Sequence, residues 1–437
     1  MVRIVHAAHE RILSEEPYVQ VSRRLPAVRA APEDQAVTSE PPGQNRLSPM
    51  RFVLVFGVVS MLGDVVYEGA RSVTGPYLAT LGASAALVGF VTGAGEAVAL
   101  VLRLATGRLS DRTGKHWTLS IAGYAITMVS VPLLALANTI APASVLVITE
   151  RFGKAVRSPA KDTMLAQAGT SLGHGRTFAI HEALDQSGAF AGPLIVAAAI
   201  AISGGYRAGF AVLAIPGAAA IAVVLLLRRA VPHPERYEHH AEAAVNPVPV
   251  DAGRLPREFW LYSAFTAATM AGFATFAVLG YHLQVRGIVS ASTIPIIYAV
   301  AMGTAALGAL ASGHAYDRIG LRGLVVAPFL AAVIPFLSFS DSATLVWIGA
   351  AVWGAAMGLH ESTMRAAVAS LVPKAKRGTG YGAFAAVYGL AWLAGSTLIG
   401  ALYERSVASI EVFVVVTQLV ALALFVPLIA AGRARGT

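Results

Sequence analysis

The sequence predicts an all-α integral membrane protein of twelve transmembrane helices in two pseudo-symmetric six-helix bundles, and three observations carry that reading. Of the 437 residues, 56% are hydrophobic and 13% charged, about half the charged share of a soluble domain. Apolar stretches long enough to cross a hydrocarbon core of about 30 Å recur along the chain. The octet Gly107-Arg-Leu-Ser-Asp111-Arg112-Thr-Gly114 returns 206 residues later as Gly313-His-Ala-Tyr-Asp317-Arg318-Ile-Gly320, between apolar stretches both times, which marks an internal duplication.

Taken in order, residues 1–49 mix Arg, Glu and Pro without an apolar run. They read as a disordered cytoplasmic tail without the apolar core of a cleavable signal peptide, and Met50 offers an alternative start. Read between Gly, Pro and charge clusters, the apolar runs then give spans 1 to 12. Spans 1 to 6 lie at 51–79, 84–106, 117–138, 142–169, 176–203 and 207–228, and spans 7 to 12 at 257–285, 291–315, 323–340, 343–371, 378–404 and 409–431. The N-terminal bundle is thus 50–229 and the C-terminal bundle, with a short tail, 257–437. Between them, 230–256 carries Pro232, Pro234, Pro247 and Pro249 among mixed charges and reads as a cytoplasmic linker. His233, His239 and His240 there lack a fixed scaffold, so no metal site is predicted. No ten-residue alternation of a membrane barrel competes with the helical periodicity. The chain has no cysteine, which excludes disulfides and thiol chemistry.

The net charge of +9 marks topology rather than nucleic acid. With both termini cytoplasmic, 23 of the 33 Lys and Arg residues fall in inside loops and tails, Arg108, Arg112, Lys115, Arg228, Arg229 and Lys374 among them; only Arg207, Arg286 and Arg405 fall outside. That bias fixes the expected orientation in a cell inner membrane, with the lipid bilayer as the surrounding partner.

The first octet with Lys115 resembles the loop between helices 2 and 3 of the major facilitator superfamily, and the second copy occupies the matching loop between helices 8 and 9. Together with twelve spans and a central linker, the resemblance covers residues 50–432. It implies a solute path between the bundles and alternating access. It also implies that Asp111 and Arg112 form a latch at the cytoplasmic rim, with Asp162 at the end of span 4 as the acid available to Arg112. Gly107, Gly114, Gly313 and Gly320 permit turns or close approach, and Asp317 and Arg318 repeat the charged pair. In span 5, Gly188-Ala-Phe-Ala-Gly192-Pro193 resembles part of the motif of drug:proton antiporters, without its trailing glycine pair. Arg151 stands where those antiporters place an arginine in span 4, although Lys154 and Ala155 replace the usual Gln-Gly.

A charge at mid-bilayer costs about 2.5–3.5 kcal/mol on insertion scales, so the charges inside the spans must pair or face water. At about 100° per residue, side chains three, four and seven apart share a face. Asp64, Glu68, Arg71 and Gly75 share one face of span 1 with Tyr67 beside them, either as a self-neutralising Glu68–Arg71 pair or as a titrating carboxylate. Glu150, Lys154, Arg157 and Lys161 share a face of span 4, with Arg151 adjacent. This basic stripe suits an anionic or zwitterionic solute. In span 5, His181 and Asp185 stand one turn apart and can hydrogen-bond to each other or to span 1 or 4. Glu182 and Gln186 lie on the next face. Glu361 and Arg365, beside His360, repeat the pattern sparsely in span 10. Tyr281, His282, Tyr388 and Trp392 are candidate pocket-wall residues.

The functional expectation is a secondary active transporter of a small organic solute, proton-coupled and exporting, acting as a monomer with no cofactor beyond the proton gradient. The alternatives are an uncoupled facilitator or importer of an organic anion or zwitterion and, remotely, a membrane sensor. A membrane enzyme is disfavoured by the lack of His-Glu-x-x-His, Gly-x-Ser-x-Gly and phosphate-binding glycine loops.

Overall fold

The computed structural model describes residues 45–238, 254–373 and 376–433, without the side chains of 364–365 and 430–433. The expected N-terminal tail up to residue 44, Lys374, and the linker residues 239–253 with His239 and His240 lie outside the described residues. All regular structure among the described residues is helical: α1 (Pro49–Thr80), α2 (Ala85–Thr113), α3 (His116–Leu133), α4 (Ile140–Leu172), α5 (His174–Ser203), α6 (Tyr206–Val212), α7 (Ala214–Ala230), α8 (Arg257–Ala271), α9 (Phe276–Arg286), α10 (Thr293–Ile319), α11 (Val326–Ser338), α12 (Ala343–Leu371), α13 (Arg377–Tyr403) and α14 (Val407–Arg433).

Among the described residues, ten helical stretches are long and apolar enough to cross a membrane, and one of them, Thr293–Ser338, runs two predicted spans together over 46 residues. Helix α4 is absent from that set because Glu150, Arg151, Lys154, Arg157, Lys161 and Asp162 dilute its apolar content. With those two adjustments the twelve spans are accounted for. Span 6 is interrupted at Leu213, between α6 and α7, and span 7 is broken over 272–275, between α8 and α9. A break inside a membrane frees backbone groups that need partners. Here the Trp353 Nε1–H donates to Ala274 O at 2.9 Å and the Gln418 amide to Thr269 O at 3.1 Å.

The apolar cores follow the duplication. One cluster runs from Phe52 to Tyr237 and takes in Ala277 from the second half; two others, around Trp353 and around Tyr262, lie wholly in the second half. Within the first half α1 packs on α5 and α7, and α4 on α2 and α3; within the second, α12 packs on α10 and α11, and α8 on α13 and α14. The halves meet where α1 lies on α9, α2 on α13 and α5 on α10. Exposed Leu136, Ile202, Leu307, Leu310 and Val426 form the apolar surface that lipid would cover.

With twelve crossings the start of α1 and the end of α14 lie on one side, here the terminal side. Arg46 N–H donates to Ala230 O at 2.8 Å and the Trp117 indole to Val231 O at 3.0 Å, which ties the starts of α1 and α3 to the end of α7 there. The opposite, distal side is where the halves are sealed. A Cβ on Gly75 would lie 1.9 Å from Ala277 O, so only glycine lets α1 and α9 approach this closely. The Tyr206 hydroxyl donates to Gln284, and Ala86 N–H to Glu404 Oε1 at 3.2 Å. Thr92, Thr275 and Ser396 form a buried hydroxyl chain across the halves with 3.0 Å steps.

The octets differ from the expected loops. Span 2 does not end at 106: α2 stays helical to Thr113, and the turn is only Gly114 and Lys115. Nothing in 107–113 breaks the hydrogen-bond ladder, and the stop comes at Gly114, whose φ of 62° is left-handed and whose N–H bonds Ser110 O. The second copy is likewise helical to Ile319, and Gly320 at φ 59° opens a 3-10 turn over Gly320–Val325. The charged residues therefore extend a membrane helix beyond its apolar part.

Candidate functional site

The charges of the first half converge on one buried network that α1, α2, α4 and α5 build together. Arg71 on α1 stands 3.5 Å from Glu68 and 3.0 Å from Glu96 on α2. Glu96 also meets Arg151 on α4 at 3.3 Å, and Arg151 meets Glu150 at 3.2 Å. Three carboxylates thus share two guanidiniums in a zigzag across three helices. The forked geometry of arginine suits this bridging, where a lysine would serve as a single point charge.

Nearer the terminal side a second group of contacts joins α1, α3, α4 and α5. Arg157 lies 3.6 Å from Asp64 and 4.7 Å from the centre of the Tyr124 ring. The Tyr124 hydroxyl is 3.1 Å from Ser60 Oγ, which in turn is 2.8 Å from His181 Nε2. Lys161 and Asp185 approach to 3.9 Å. Side-chain exposure rises from 9% at Glu68 through 16% at Asp64 to 20% at Asp185. The distal side of this network is closed by the contacts described above.

The second half supplies two aromatic partners. The Tyr298 hydroxyl of α10 donates to Glu68 Oε2, a buried hydrogen bond from one half to the other. Trp392 of α13 lies under Arg71, with the guanidinium carbon 5.9 Å from the ring centre, and its own indole N–H is buried without a hydrogen-bond partner among the described residues. Tyr67, on the polar face of α1, is nearly buried and carries two cations over its ring, Arg151 at 4.3 Å and Lys154 at 3.6 Å.

Most of the residues singled out from the sequence meet here. Glu68 and Arg71 do pair within α1, but the pair is not self-contained, since Arg71 is closer to Glu96. The stripe on α4 holds together as a face but not as one cationic surface, because Glu150, Arg157 and Lys161 each have an oppositely charged partner. His181 bonds Ser60 on α1 rather than Asp185, so the two span 5 residues take different partners. Gly188 and Gly192 on α5 press against the backbone of α1: a Cβ there would lie 2.2 Å from Met61 O and 2.3 Å from Val65 O. Pro193 follows inside α5. Close helix contact accounts for those glycines.

Other predicted residues lie elsewhere. Glu182 and Gln186 bond each other at 2.9 Å on an exposed part of α5. Asp111, Arg112 and Asp162 are exposed, and no ion pair within 4.0 Å joins Arg112 to Asp162, so the latch expected at that rim is not made in this conformation. Asp317 and Arg318 are exposed in the same way. Glu361 is exposed on α12 and the side chain of Arg365 lies outside the described residues. Tyr281 and His282 do not join the network. His282 bonds Tyr403 at 2.9 Å and Tyr281 packs edge-on against Tyr403 at 5.7 Å, which makes them part of the distal rim. Tyr388 stacks edge-on with Trp392 at 5.8 Å.

Sequence reasoning passed over Glu96, Tyr298, Tyr124 and Ser60. Glu96 had a usable signal, a lone acid in the apolar run of span 2, where the insertion cost demands a partner. Tyr298 had none, because a tyrosine in a span reads as packing. No cluster of His, Cys, Asp and Glu able to hold a metal occurs among the described residues.

The family model of the Major Facilitator Superfamily matches residues 55–396. The chain belongs to that superfamily. It is 52% identical over 377 residues to an uncharacterized protein of Mycobacterium tuberculosis (strain ATCC 25618 / H37Rv), covering 86% of this chain and 92% of that one. An uncharacterized MFS-type transporter of Methanocaldococcus jannaschii is 23% identical over 81% of this chain and 89% of its own. Among solved structures, the fold matches the nucleoside transporter NupG with a TM-score of 0.69 at 16% identity, over 87% of this chain and 99% of that one. It also matches an inward-facing, occupied bacterial homolog of the lysosomal transporter Spinster at 0.68 and 15%, over 88% and 97%. The superfamily makes this chain a membrane transporter rather than an enzyme, with a small-molecule substrate.

Proposed function

We propose that the chain is a proton-coupled secondary transporter that moves a small organic solute by alternating access of its two halves, in a cell inner membrane with both termini cytoplasmic. One observation carries the reading: Glu68, a carboxylate in the middle of a membrane helix, is held both by Arg71 of its own half and by the Tyr298 hydroxyl of the other. Protonation of Glu68 removes the charge that attracts Arg71 and weakens the strongest kind of hydrogen bond that Tyr298 can give it. The same event thereby loosens the contact between halves, which is what coupling requires. Asp64 and Asp185, each within 4.0 Å of a cation on α4, are the remaining carriers on a route from the terminal side. Export against protons is the direction favoured by the span 5 resemblance, and no second chain or cofactor is part of the scheme.

The test is Glu68→Gln in purified, reconstituted protein, with solutes screened for uptake into vesicles under an imposed pH gradient. Gradient-driven accumulation should disappear while exchange of the same solute without a gradient persists. Unchanged proton dependence in the variant would refute the assignment, and loss of both activities would make Glu68 a structural residue. Uncoupled facilitation is the outcome if the wild type ignores the gradient.

A further inference from the structure

Among the five cations of the buried network, Arg71, Arg151, Arg157 and Lys161 each have a carboxylate within 4.0 Å. Lys154 has no such partner among the described residues. Its ammonium rests on the face of Tyr67, 3.6 Å from the ring centre, and the side chain keeps partial exposure in the middle of α4. A ring face offers about 0.5–2 kcal/mol to a cation, less than the cost of a charge at that depth, about 2.5–3.5 kcal/mol. It also leaves N–H donors of the ammonium unused, since a lysine has three and the ring is not an oxygen acceptor. Lys154 is thus placed, oriented and incompletely satisfied, on the stretch of α4 between Arg151, which faces the zigzag of three carboxylates, and Arg157, which belongs to Asp64.

We infer that Lys154, resting on Tyr67, is the point at which the transported solute docks an oxyanion, and that the substrate class is therefore small organic acids, zwitterions included. The inference rests on the transporter reading and assigns its substrate end. The neighbouring arginines cannot take this role without surrendering the carboxylates that hold α1, α2 and α4 together. Lys154 loses nothing when a carboxylate arrives, because the ring contact holds one side of the ammonium and the new ion pair forms on another. A bound amine of a zwitterion would find Glu68, Glu96 and Asp64 in the same network. Tyr67 then serves as a platform that fixes the ammonium, and Tyr67→Phe should preserve the site because the ring face remains.

The experiment measures thermal stabilisation of the purified full-length protein by a panel of organic acids and amino acids, each beside its carboxamide: benzoate with benzamide, lactate with lactamide, succinate with succinamide, alanylalanine with its amide. The wild type should be stabilised by at least one acid and not by its amide. Lys154→Gln should weaken that acid by about ten- to hundredfold, the value of a hydrogen bond to a charged group, and should erase the preference for acid over amide. Lys154→Arg, which keeps the charge, should retain the preference and guards against a variant that merely folds badly. Equal binding of acid and amide, an acid preference that survives Lys154→Gln, or no stabilisation by any acid of the panel would each overturn the inference. Counterflow of the bound compound separates this from the transporter reading. A neutral solute carried equally by wild type and Lys154→Gln leaves transport standing and removes the anion site. An acid that binds through Lys154 but never crosses does the reverse.

Discussion

The two halves of this molecule share a topology and a repeated octet, yet they are stabilised in different ways. Helices α1, α2, α4 and α5 bury five carboxylates and four cations in ion pairs, whereas the matching depth of the second half is filled by rings: Phe273, Phe276, Tyr298, Trp353 and Trp392 stack within 6.3 Å of a neighbour. The charged half changes its internal attractions whenever a proton arrives. The stacked rings of the second half do not, because dispersion and apolar packing are indifferent to protonation. One half is thus suited to sensing and the other to acting as its counterpart, touching the network through the Tyr298 phenol and the Trp392 indole.

The sharpest way to break this comparison is Glu96→Gln. It strips the shared acid from between Arg71 and Arg151 and leaves buried cations short of a partner, which should cost about 3–5 kcal/mol. The drop should be visible as a lowered thermal midpoint in detergent, together with loss of transport. Glu361→Gln, at an exposed position of the second half, should lower the midpoint far less; equal losses would mean that the halves are not electrostatically distinct.

Tyr298→Phe removes only the hydroxyl that crosses from one half to the other. Its expected cost is about 1.5–3 kcal/mol, as for a hydrogen bond to a charged group, and the pH profile of transport should shift because Glu68 loses a donor to its charged form. A profile identical to that of the wild type would confine Tyr298 to packing. Trp353→Phe, in the aromatic half, gives up one bond to Ala274 O at the break of span 7. It leaves that buried carbonyl without a donor and should cost about 1–3 kcal/mol, with the pH profile of transport unmoved. The smallest effect on stability belongs to the octets. Asp111→Asn and Asp317→Asn alter exposed groups and should stay within about 0.5 kcal/mol of wild type, while Asp111→Asn alone slows transport if the latch forms in the other conformation. A large loss of stability in either variant would place these acids in the folded core.

Much of this was legible from residues alone, and the reason is the solvent. A hydrocarbon environment makes twenty-residue apolar runs and mid-span charges costly to misplace, so the spans, the duplication and the polar faces of α1, α4 and α5 could be read without coordinates. The extension of α2 to Thr113 was harder, because outside the membrane hydropathy no longer marks where a helix ends and only Gly114 does. The break at 272–275 was harder still, since Gly272 alone is a weak signal and the partners that satisfy the freed carbonyls, Trp353 and Gln418, lie far along the chain.

Helical periodicity determined which side chains share a face, and so delivered Asp64, Glu68 and Arg71 together, and Glu150, Lys154, Arg157 and Lys161 together. It could not determine which face meets which, because the angle and depth at which one helix packs on another depend on close contacts such as Gly188 against Met61 and Gly75 against Ala277. That packing alone decided that Glu96 bridges two arginines, that His181 bonds Ser60 rather than Asp185, that Tyr298 reaches Glu68 across the halves, and that Lys154 is the cation left to an aromatic ring. Charge cost acts on every residue separately and is written in the sequence; partnership is a property of pairs brought together from distant parts of the chain, and only the tertiary fold sets it.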